Sequence, residues 1–310
     1  MLEFALIATD TKWLEGNWQA IDGTRFTTLN VIDHPYHPGP DPWTFLAYAA
    51  GKTSRIRLGT HVTGAPFRHP TALARAVTTV DVLSGGRASL GIGTAYERDD
   101  FEPFGFEQRS FGKRVSDLEE TIQILKRLWT GDPSPYTGGS FRLGGGAKLE
   151  PRPVQSPHPP IIVGLNTPGK LARMAAAHAE GINTWQLGPD QVCSVREFVL
   201  EECERNGRDA TQFRITADVL FPKVAGQDQA EAVANQISQM ARSWGRDEKV
   251  TDWHAGGVLH GDQDAMVEQC LSFAEVGVTE LTVSISTAED ATWFSENVAA
   301  RASAAAEKVV

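Results

Sequence analysis

A histidine suited to proton transfer stands directly after an apolar run of the sequence. The run Thr28–Asp33 has the short, mostly apolar character of a buried strand, and His34 follows it at once. Imidazole is the side chain that most readily exchanges a proton near neutral pH. Asp33 could orient this ring or bind an N–H group of a ligand. The pair predicts an acid–base site, with a hydrogen-bonded structural histidine as the alternative.

A pair of glycines ends a second apolar run. Gly91 and Gly93 close the run that begins at Ala88, and glycine allows a flat ligand to approach the backbone closely. The polar residues that follow are Thr94, Tyr96, Glu97 and Asp99. We expect these residues to contact such a ligand, although a lone Gly-x-Gly pattern is not specific.

A third candidate is the turn Gly164-Leu165-Asn166, which precedes a helix predicted from about Leu171 to Ala179. Free N–H groups at a helix N-terminus suit a phosphate, and Lys170 adds a positive charge. Simple helix capping explains the same pattern. The next apolar run ends in Asn183-Thr184-Trp185, which we expect beside this turn.

Eight short apolar runs have the character of strands buried on both faces. They are 4–8, 28–33, 56–62, 88–93, 160–164, 182–185, 214–220 and 280–285. Helical patterns separate them, for example Val115 to Leu128, Ala230 to Trp244 and Asp264 to Val276. Eight strand–helix units favour a (β/α)₈ TIM barrel, whose functional groups lie at the carboxyl ends of the strands. The alternative, an open doubly wound sheet, would usually show a Gly-x-Gly-x-x-Gly motif after the first strand, and none follows here.

One domain over residues 1–310 is expected, with an insertion after the fourth unit. Residues 132–159 are rich in Gly and Pro and too long for a bare loop, so they predict a hairpin or lid. The alanine-rich end, residues 302–310, is expected to be a disordered tail.

Composition excludes several classes of protein. A formal net charge of −10 disfavours nucleic acid as a partner. The three cysteines form no Cys-x-x-Cys pair, so neither a disulfide framework nor a thiolate metal site is expected, and a reducing cytoplasm fits. The beginning of the chain does not have the pattern of a signal peptide, and no apolar run has the length of a membrane span.

Taken together, these segments resemble the bacterial-luciferase-like superfamily, and within it the branch that uses the deazaflavin coenzyme F420. The segments that carry the resemblance are 39–43, 55–60, 67–70, 83–87, 91–93, 100–105, 151–155, 159–164 and 175–181. The resemblance covers about residues 1 to 290. Its motifs are specific for the superfamily as a set and less specific for the cofactor.

The resemblance implies a planar cofactor lying across the strand ends, next to a bulge of the third strand. It places a non-prolyl cis peptide at His61–Val62 in this bulge, makes His34 the active-site histidine and makes Gly164-Leu165-Asn166 a phosphate cradle. The expected catalytic residues are His34, Tyr96 and Glu97. The expected cofactor-binding residues are Asp33, His61, Val62, Thr63, Gly93, Thr94, Asp99, Gly164, Leu165, Asn166, Asn183 and Thr184. Relatives are often homodimers.

Two positions depart from the deazaflavin-dependent sugar-phosphate dehydrogenases of this superfamily. Pro38 stands where those enzymes have a Trp soon after the histidine, and Tyr96 stands where they have a catalytic Glu. Sugar-phosphate oxidation is therefore disfavoured, and the proton donor is left open between Tyr96 and Glu97.

Four hypotheses follow. The first is hydride transfer between F420 and a small organic substrate. The second is monooxygenation with FMN, for which a separate reductase would supply reduced flavin. The third is a metal-dependent hydrolase using Asp33, His34, His37 and His61, although these lack the His-x-His pair typical of such enzymes, so no metal site is expected. The fourth is a flavin-binding protein without activity.

Overall fold

Eight parallel strands close into a barrel in the computed structural model, which describes residues 2–8, 10–95, 100–221 and 256–307. In chain order the strands are β1 (Glu3–Ala8), β2 (Thr28–Asp33), β3 (Arg57–Gly64), β4 (Ala88–Gly93), β5 (Tyr136–Thr137), β6 (Arg142–Leu143), β7 (Ile161–Gly164), β8 (Gly181–Trp185), β9 (Arg214–Leu220) and β10 (Glu280–Ile285). Around the barrel they run β1-β2-β3-β4-β7-β8-β9-β10, and β10 pairs with β1. The TIM-barrel prediction is confirmed, and the open sheet is excluded by this closure.

The described helices pack around the barrel. They are α1 (Trp18–Gly23), α2 (Pro42–Ala50), α3 (Pro70–Ser84), α4 (Phe111–Thr130), α5 (Lys170–His178), α6 (Pro189–Arg205), α7 (Gln263–Glu275), α8 (Ala288–Phe294) and α9 (Ala300–Ala306). The apolar stripe of α4 is buried as its periodicity predicts, and the helix ends at Gly131 in the left-handed conformation. The helix predicted over Ala230 to Trp244 lies outside the described residues. None of the described helices is both long and apolar enough to cross a bilayer.

The alanine-rich end corrects one expectation. Residues 300–306 form α9, in which Ala302 and Ala306 are buried, and the Ser303 hydroxyl donates to the carbonyl of Leu2 at 2.8 Å. Alanine has the highest helix propensity and a side chain small enough for close packing. A low-complexity run therefore becomes a docked helix, not a tail, over the residues that the structure describes here.

The predicted insertion contains the short β5–β6 hairpin, which is fastened to the barrel helices. Glu120 on α4 accepts backbone N–H groups of Gly139 at 2.8 Å and Phe141 at 3.0 Å. Asp81, completely buried on α3, accepts the N–H groups of Val154 at 2.7 Å and Gln155 at 3.1 Å. The carboxylates of Glu120 and Asp81 thus satisfy backbone donors that a long loop would otherwise leave without partners.

The loop that leads into β3 is held by one carboxylate. Asp22 accepts N–H groups from Ser54 at 2.7 Å, Ile56 at 2.9 Å and Arg55 at 3.0 Å. Partial burial would raise the pKa of Asp22, but these hydrogen bonds outweigh it and lower the pKa from 3.8 to about 2. The charged form of Asp22 therefore stabilises the fold.

We expect Asp22→Asn to lower the free energy of unfolding at neutral pH, because an amide oxygen is a weaker acceptor than a carboxylate. Since folding lowers the pKa of Asp22, its contribution is complete above 3.8 and is lost as the pH falls towards about 2. Denaturant unfolding of both proteins should therefore show a difference that shrinks over this range. Glu204→Gln, at an exposed position on α6, is the control. An equally large difference at low pH would contradict the assignment.

Candidate active site

The carboxyl ends of the barrel strands form the mouth at which functional groups are expected. Ala95, just beyond β4, and Gln186, just beyond β8, have positive φ angles of 51° and 55°. Residues other than glycine rarely adopt this conformation, and strained positions of this kind are concentrated at functional sites. The backbone thus supports the mouth as the candidate site independently of the side chains.

A buried carboxylate orients His34. Its Nδ1 lies 2.6 Å from Oδ2 of Asp100, which is completely buried, whereas the His34 side chain is 19% exposed. Asp100 accepts a hydrogen bond from Nδ1–H, which leaves Nε2 available at the mouth. A histidine held at one nitrogen and open at the other is arranged for general acid–base chemistry. The geometry suits the role predicted for His34 and adds Asp100 as its partner.

Asp33 accepts hydrogen bonds from Arg68 and not from His34. Arg68 donates from Nε to one carboxylate oxygen and from a terminal nitrogen to the other, both at 3.0 Å. Thr63 donates to the same carboxylate at 2.8 Å. Because donors occupy both oxygens, the prediction that Asp33 orients His34 is wrong; its proposed bond to a ligand stays a prediction. The carboxylate ties the end of β2 to β3 and to the loop before α3.

The third strand contains a one-residue bulge. Val31 of β2 pairs with Thr60, and Asp33 pairs with Thr63, so three steps along β3 match two along β2. The His61–Val62 peptide inside the bulge is cis, as the resemblance implies. β3 ends at Gly64, two residues beyond the predicted end, and the bulge adds one residue to the strand.

The glycine pair of β4 accommodates this bulge. A Cβ atom on Gly91 would lie 2.1 Å from the carbonyl oxygen of Thr60, and one on Gly93 would lie 3.0 Å from Cγ2 of Val62. For Gly91 the expectation of room for a flat ligand is therefore corrected, because the neighbouring strand occupies that room. The contact of Gly93 with a cofactor stays a prediction. Because neither glycine has a side chain, β3 can adopt its bulged shape beside β4, and this shape determines the site.

His61 projects into the barrel and meets residues of distant strands. Its Nε2 lies 2.7 Å from Oδ2 of Asp218 on β9 and 3.1 Å from the amide nitrogen of Asn183 on β8. Asn183 in turn accepts the hydroxyl of Thr216 at 2.6 Å. Since one nitrogen cannot donate to Asp218 and accept from Asn183 together, the shorter contact places the proton of Nε2 towards Asp218.

The predicted phosphate turn is joined to the end of β8 by one backbone hydrogen bond and two hydrogen bonds of the Asn166 side chain. Leu165 N–H donates to the carbonyl of Asn183 at 2.9 Å. The side chain of Asn166 donates to the carbonyl of Trp185 at 2.9 Å and accepts its N–H at 2.7 Å. Asn166 therefore holds the ends of β7 and β8 together, and its polar atoms are already engaged. Gly164 leaves space between these ends, since a Cβ there would only touch Val62 at 3.5 Å.

The beginning of α5 lies next to this turn. Gly169 precedes the helix and supplies no side-chain cap, so the first N–H groups of α5 are not capped by a side chain at this position. Lys170 donates to the carbonyl of Gly112 and to the hydroxyl of Ser116, both at 3.1 Å. Its ammonium group is thus held by α4, while the helix end keeps the donors that suit an anion.

The remaining predicted residues divide into two groups. Thr94 and Thr184 are buried at the ends of β4 and β8, and Thr184 donates to the carbonyl of Thr216 at 3.4 Å. Tyr96, Glu97 and Asp99 lie outside the described residues, so their roles stay predictions.

Asp100 and Asp218 belong to the site but are not among the residues predicted from the sequence. Asp100 follows another aspartate in the sequence, and nothing in the local pattern indicates that Asp100 is buried. Asp218 could have been found from the sequence, because it is an acidic residue between apolar neighbours in the run Arg214–Leu220. A buried charged group is stable only beside a partner, so an acidic residue within a buried strand indicates a site.

The residues of the metal-hydrolase hypothesis do not converge. Asp33 binds Arg68, His34 binds Asp100 and His61 binds Asp218. The fourth residue of this hypothesis is His37, whose pKa is lowered by burial and by the charge of His34. Within the described ranges no three His, Cys, Asp or Glu side chains form a cluster able to hold a metal ion.

Comparison with known proteins finds relatives that use a flavin or the deazaflavin F420. A family described as luciferase-like monooxygenase matches residues 23–280. The oxygenase component of the flavin-dependent trigonelline monooxygenase of Acinetobacter baylyi is 36% identical over 170 residues, 54% of this chain and 46% of that protein. An F420-dependent hydroxymycolic acid dehydrogenase of Mycobacterium tuberculosis is 29% identical over 238 residues, 73% of this chain and 63% of that protein.

The solved structures agree in fold. An F420-dependent secondary alcohol dehydrogenase in complex with an F420–acetone adduct superposes with a TM-score of 0.79 over 96% of this chain and 99% of that chain, at 19% identity. The chain spans about half the length of the first curated relatives that it matches. Because the family match extends over most of the barrel, the chain belongs to the luciferase-like monooxygenase family.

Proposed function

We propose that this protein is an oxidoreductase that transfers a hydride between the deazaflavin coenzyme F420 and a small organic substrate. The observation that carries the proposal is the His34–Asp100 pair at the barrel mouth. Hydride transfer to or from an oxygen-bearing carbon must be accompanied by transfer of a proton. A histidine with one nitrogen fixed and the other accessible is equipped for that proton.

The chain's own residues would divide the work as follows. Asp100 holds Nδ1–H of His34, and Nε2 then takes or gives the substrate proton. Asp33, Arg68 and Thr63 keep the end of β3 rigid beside this histidine. The coenzyme, when bound, supplies the carbon that gives or accepts the hydride. Tyr96 and Glu97 stay the alternative proton donors predicted from the sequence.

The residues at the mouth fit a planar phosphorylated coenzyme in two respects. The bulge at His61–Val62 places a kinked strand edge beside the open end of the barrel. The N-terminus of α5, without a side-chain cap at Gly169, lies by the Gly164 turn and suits a phosphate. Val62 would therefore support the ring, and the completely buried Thr63 would hold the bulge in shape. The turn with the α5 N-terminus would hold the anionic tail.

A deazaflavin is favoured because one F420-dependent relative, the hydroxymycolic acid dehydrogenase, matches 73% of the chain, whereas the flavin-dependent oxygenase component matches 54%. The second candidate is an FMN-dependent monooxygenase, which the 36% identity to a flavin-dependent oxygenase component supports. In that case a separate reductase would be required to supply reduced flavin. A homodimer and a cytoplasmic location stay predictions.

Titration of the purified chain with F420 and with FMN tests the choice, using changes in coenzyme absorbance and fluorescence. We expect saturable binding of F420 with a dissociation constant in the micromolar range or below, and weaker binding of FMN, because the site is matched to one coenzyme. Reduction of bound F420 by a panel of alcohols, or oxidation of reduced F420 by the corresponding ketones, would then identify the substrate. Binding of FMN alone, with oxygen consumption on addition of a reductase, would favour the monooxygenase instead.

A further inference from the structure

A buried histidine–carboxylate pair crosses the interior of the barrel near its mouth. β3 and β9 lie on opposite sides, each the fourth strand from the other in both directions. Nevertheless Nε2 of His61 and Oδ2 of Asp218 are only 2.7 Å apart, and their side chains are 13% and 5% exposed. Asp218 pairs in register with Trp185, the last residue of β8, which places it near the carboxyl ends of the strands.

Each partner keeps one polar atom that the described residues do not use. Oδ1 of Asp218 is buried and has no hydrogen-bond partner among the residues that the structure describes. All hydrogen bonds of His61 to described residues involve Nε2, so Nδ1 makes none to this part of the chain. Burying an ion pair costs free energy that a single hydrogen bond does not recover, so a purely structural pair would be expected to satisfy more of its atoms.

The charges around His61 favour its protonated form. Burial would lower the pKa of His61, but the charge and hydrogen bond of Asp218, with a smaller effect of the charge of Glu280 on β10, raise the pKa above 6.5. Asn183 on β8 is the other polar group that contacts the ring, and it is neutral. A protonated ring donates from both nitrogens, whereas a neutral ring with its proton on Nε2 presents a lone pair at Nδ1.

We propose that Asp218 holds His61 as a cation whose Nδ1–H donates a hydrogen bond to the bound coenzyme ring, and that this favours the reduced coenzyme over the oxidised one. The proposal rests on the proposed function. A hydride brings one negative charge to the ring, so a fixed cationic donor binds the hydride-bearing form more strongly. Asp218 is thereby a positioning residue that acts through His61.

The pair itself can be tested without coenzyme. NMR titration of the histidine rings should find His61 titrating above 6.5 in the wild-type chain and at a lower pH in Asp218→Asn. The amide oxygen of the introduced asparagine still accepts from Nε2–H, so the variant preserves the shape of the contact while removing the charge. Glu280→Gln, at the other end of the barrel, should lower the pKa of His61 less. An unchanged pKa in Asp218→Asn would overturn the assignment of the pair.

The role towards the coenzyme is tested by dissociation constants of F420 and FMN, each in its oxidised and reduced form, measured without oxygen. For whichever coenzyme binds, Asp218→Asn should weaken the binding of the reduced form by about tenfold relative to the binding of the oxidised form. This is the size expected for one charge-assisted hydrogen bond. Thr216→Val, which removes only the hydroxyl that donates to Asn183 and to the carbonyl of Ile182, should change both constants alike. His61→Gln provides a second variant if Asp218→Asn folds poorly, and should shift the same ratio.

The possible failures are distinguishable. If a coenzyme binds normally and the ratio is unchanged although the pKa of His61 falls, the role of the pair towards the ring is wrong and the proposed function stands. If neither coenzyme binds the wild-type chain in either form, the proposed function is overturned, and the role towards the ring is overturned with it.

Discussion

Replacing His34 with Asn is expected to lower kcat by roughly 10²–10⁴-fold, the usual contribution of a general acid or base. The reason is positional: Nε2 is the nitrogen left open at the mouth once Asp100 has bound Nδ1 at 2.6 Å. Asparagine can still form hydrogen bonds, but it cannot exchange a proton near neutral pH. Steady-state measurement of coenzyme reduction with the substrate identified above would quantify the loss.

Three controls make this result specific. Coenzyme binding should be nearly unchanged in His34→Asn, because the proposed contacts of the ring and the phosphate lie on β3, β7 and α5. Asp100→Asn should reduce kcat less, since His34 loses its charged partner but keeps both nitrogens. His178→Asn, on the outer helix α5, should have no effect on turnover. If His34→Asn kept full activity, the proton would have to pass through another group, with Tyr96 and Glu97 the first candidates.

Replacing Gly91 with Ala is expected to destabilise the fold by roughly 3 kcal/mol, at the upper end of what overpacking usually costs. A methyl group there would lie 2.1 Å from the backbone carbonyl oxygen of Thr60. A backbone atom inside a paired strand cannot rotate away, so the bulge of β3 would have to shift. Denaturant unfolding, followed by circular dichroism, measures the change in free energy.

Two other glycine-to-alanine variants provide reference values for the change in the free energy of unfolding. Gly93→Ala should cost about 1 kcal/mol, because its methyl would meet Cγ2 of Val62 at 3.0 Å and a side-chain end can adjust. Gly112→Ala, near the start of α4 with no atom within 4 Å, should be neutral or slightly stabilising, by less than about 1 kcal/mol. A Gly91→Ala protein as stable as Gly112→Ala would show that the bulge does not need this glycine.

The same variant links the fold to the site. The bulge that Gly91 permits determines the positions of His61 and Thr63, which contact Asp218 and Asp33 respectively. Any Gly91→Ala protein that still folds should therefore bind the coenzyme less tightly than Gly93→Ala. Titration at a temperature where both variants are folded separates this effect from loss of stability.

The pattern of residues along the chain was sufficient to predict the barrel. The bounds of β2, β4, β9 and β10 coincide with the apolar runs in the sequence. Burial on both faces requires apolar residues at successive positions, which is a local property and visible in one dimension. His34 could be assigned for a related reason, because the end of a barrel strand is a functional position whatever the rest of the fold does.

The partners of these residues could not be predicted in the same way. His34 and Asp100 are 66 positions apart, and His61 and Asp218 are 157 apart. Which of many carboxylates reaches a given ring depends on how eight strands close and on a one-residue bulge in β3. The role of Gly91 and the docking of α9 were misjudged for the same reason. Local periodicity encodes which side chains are buried, whereas packing in three dimensions selects the atoms that meet inside.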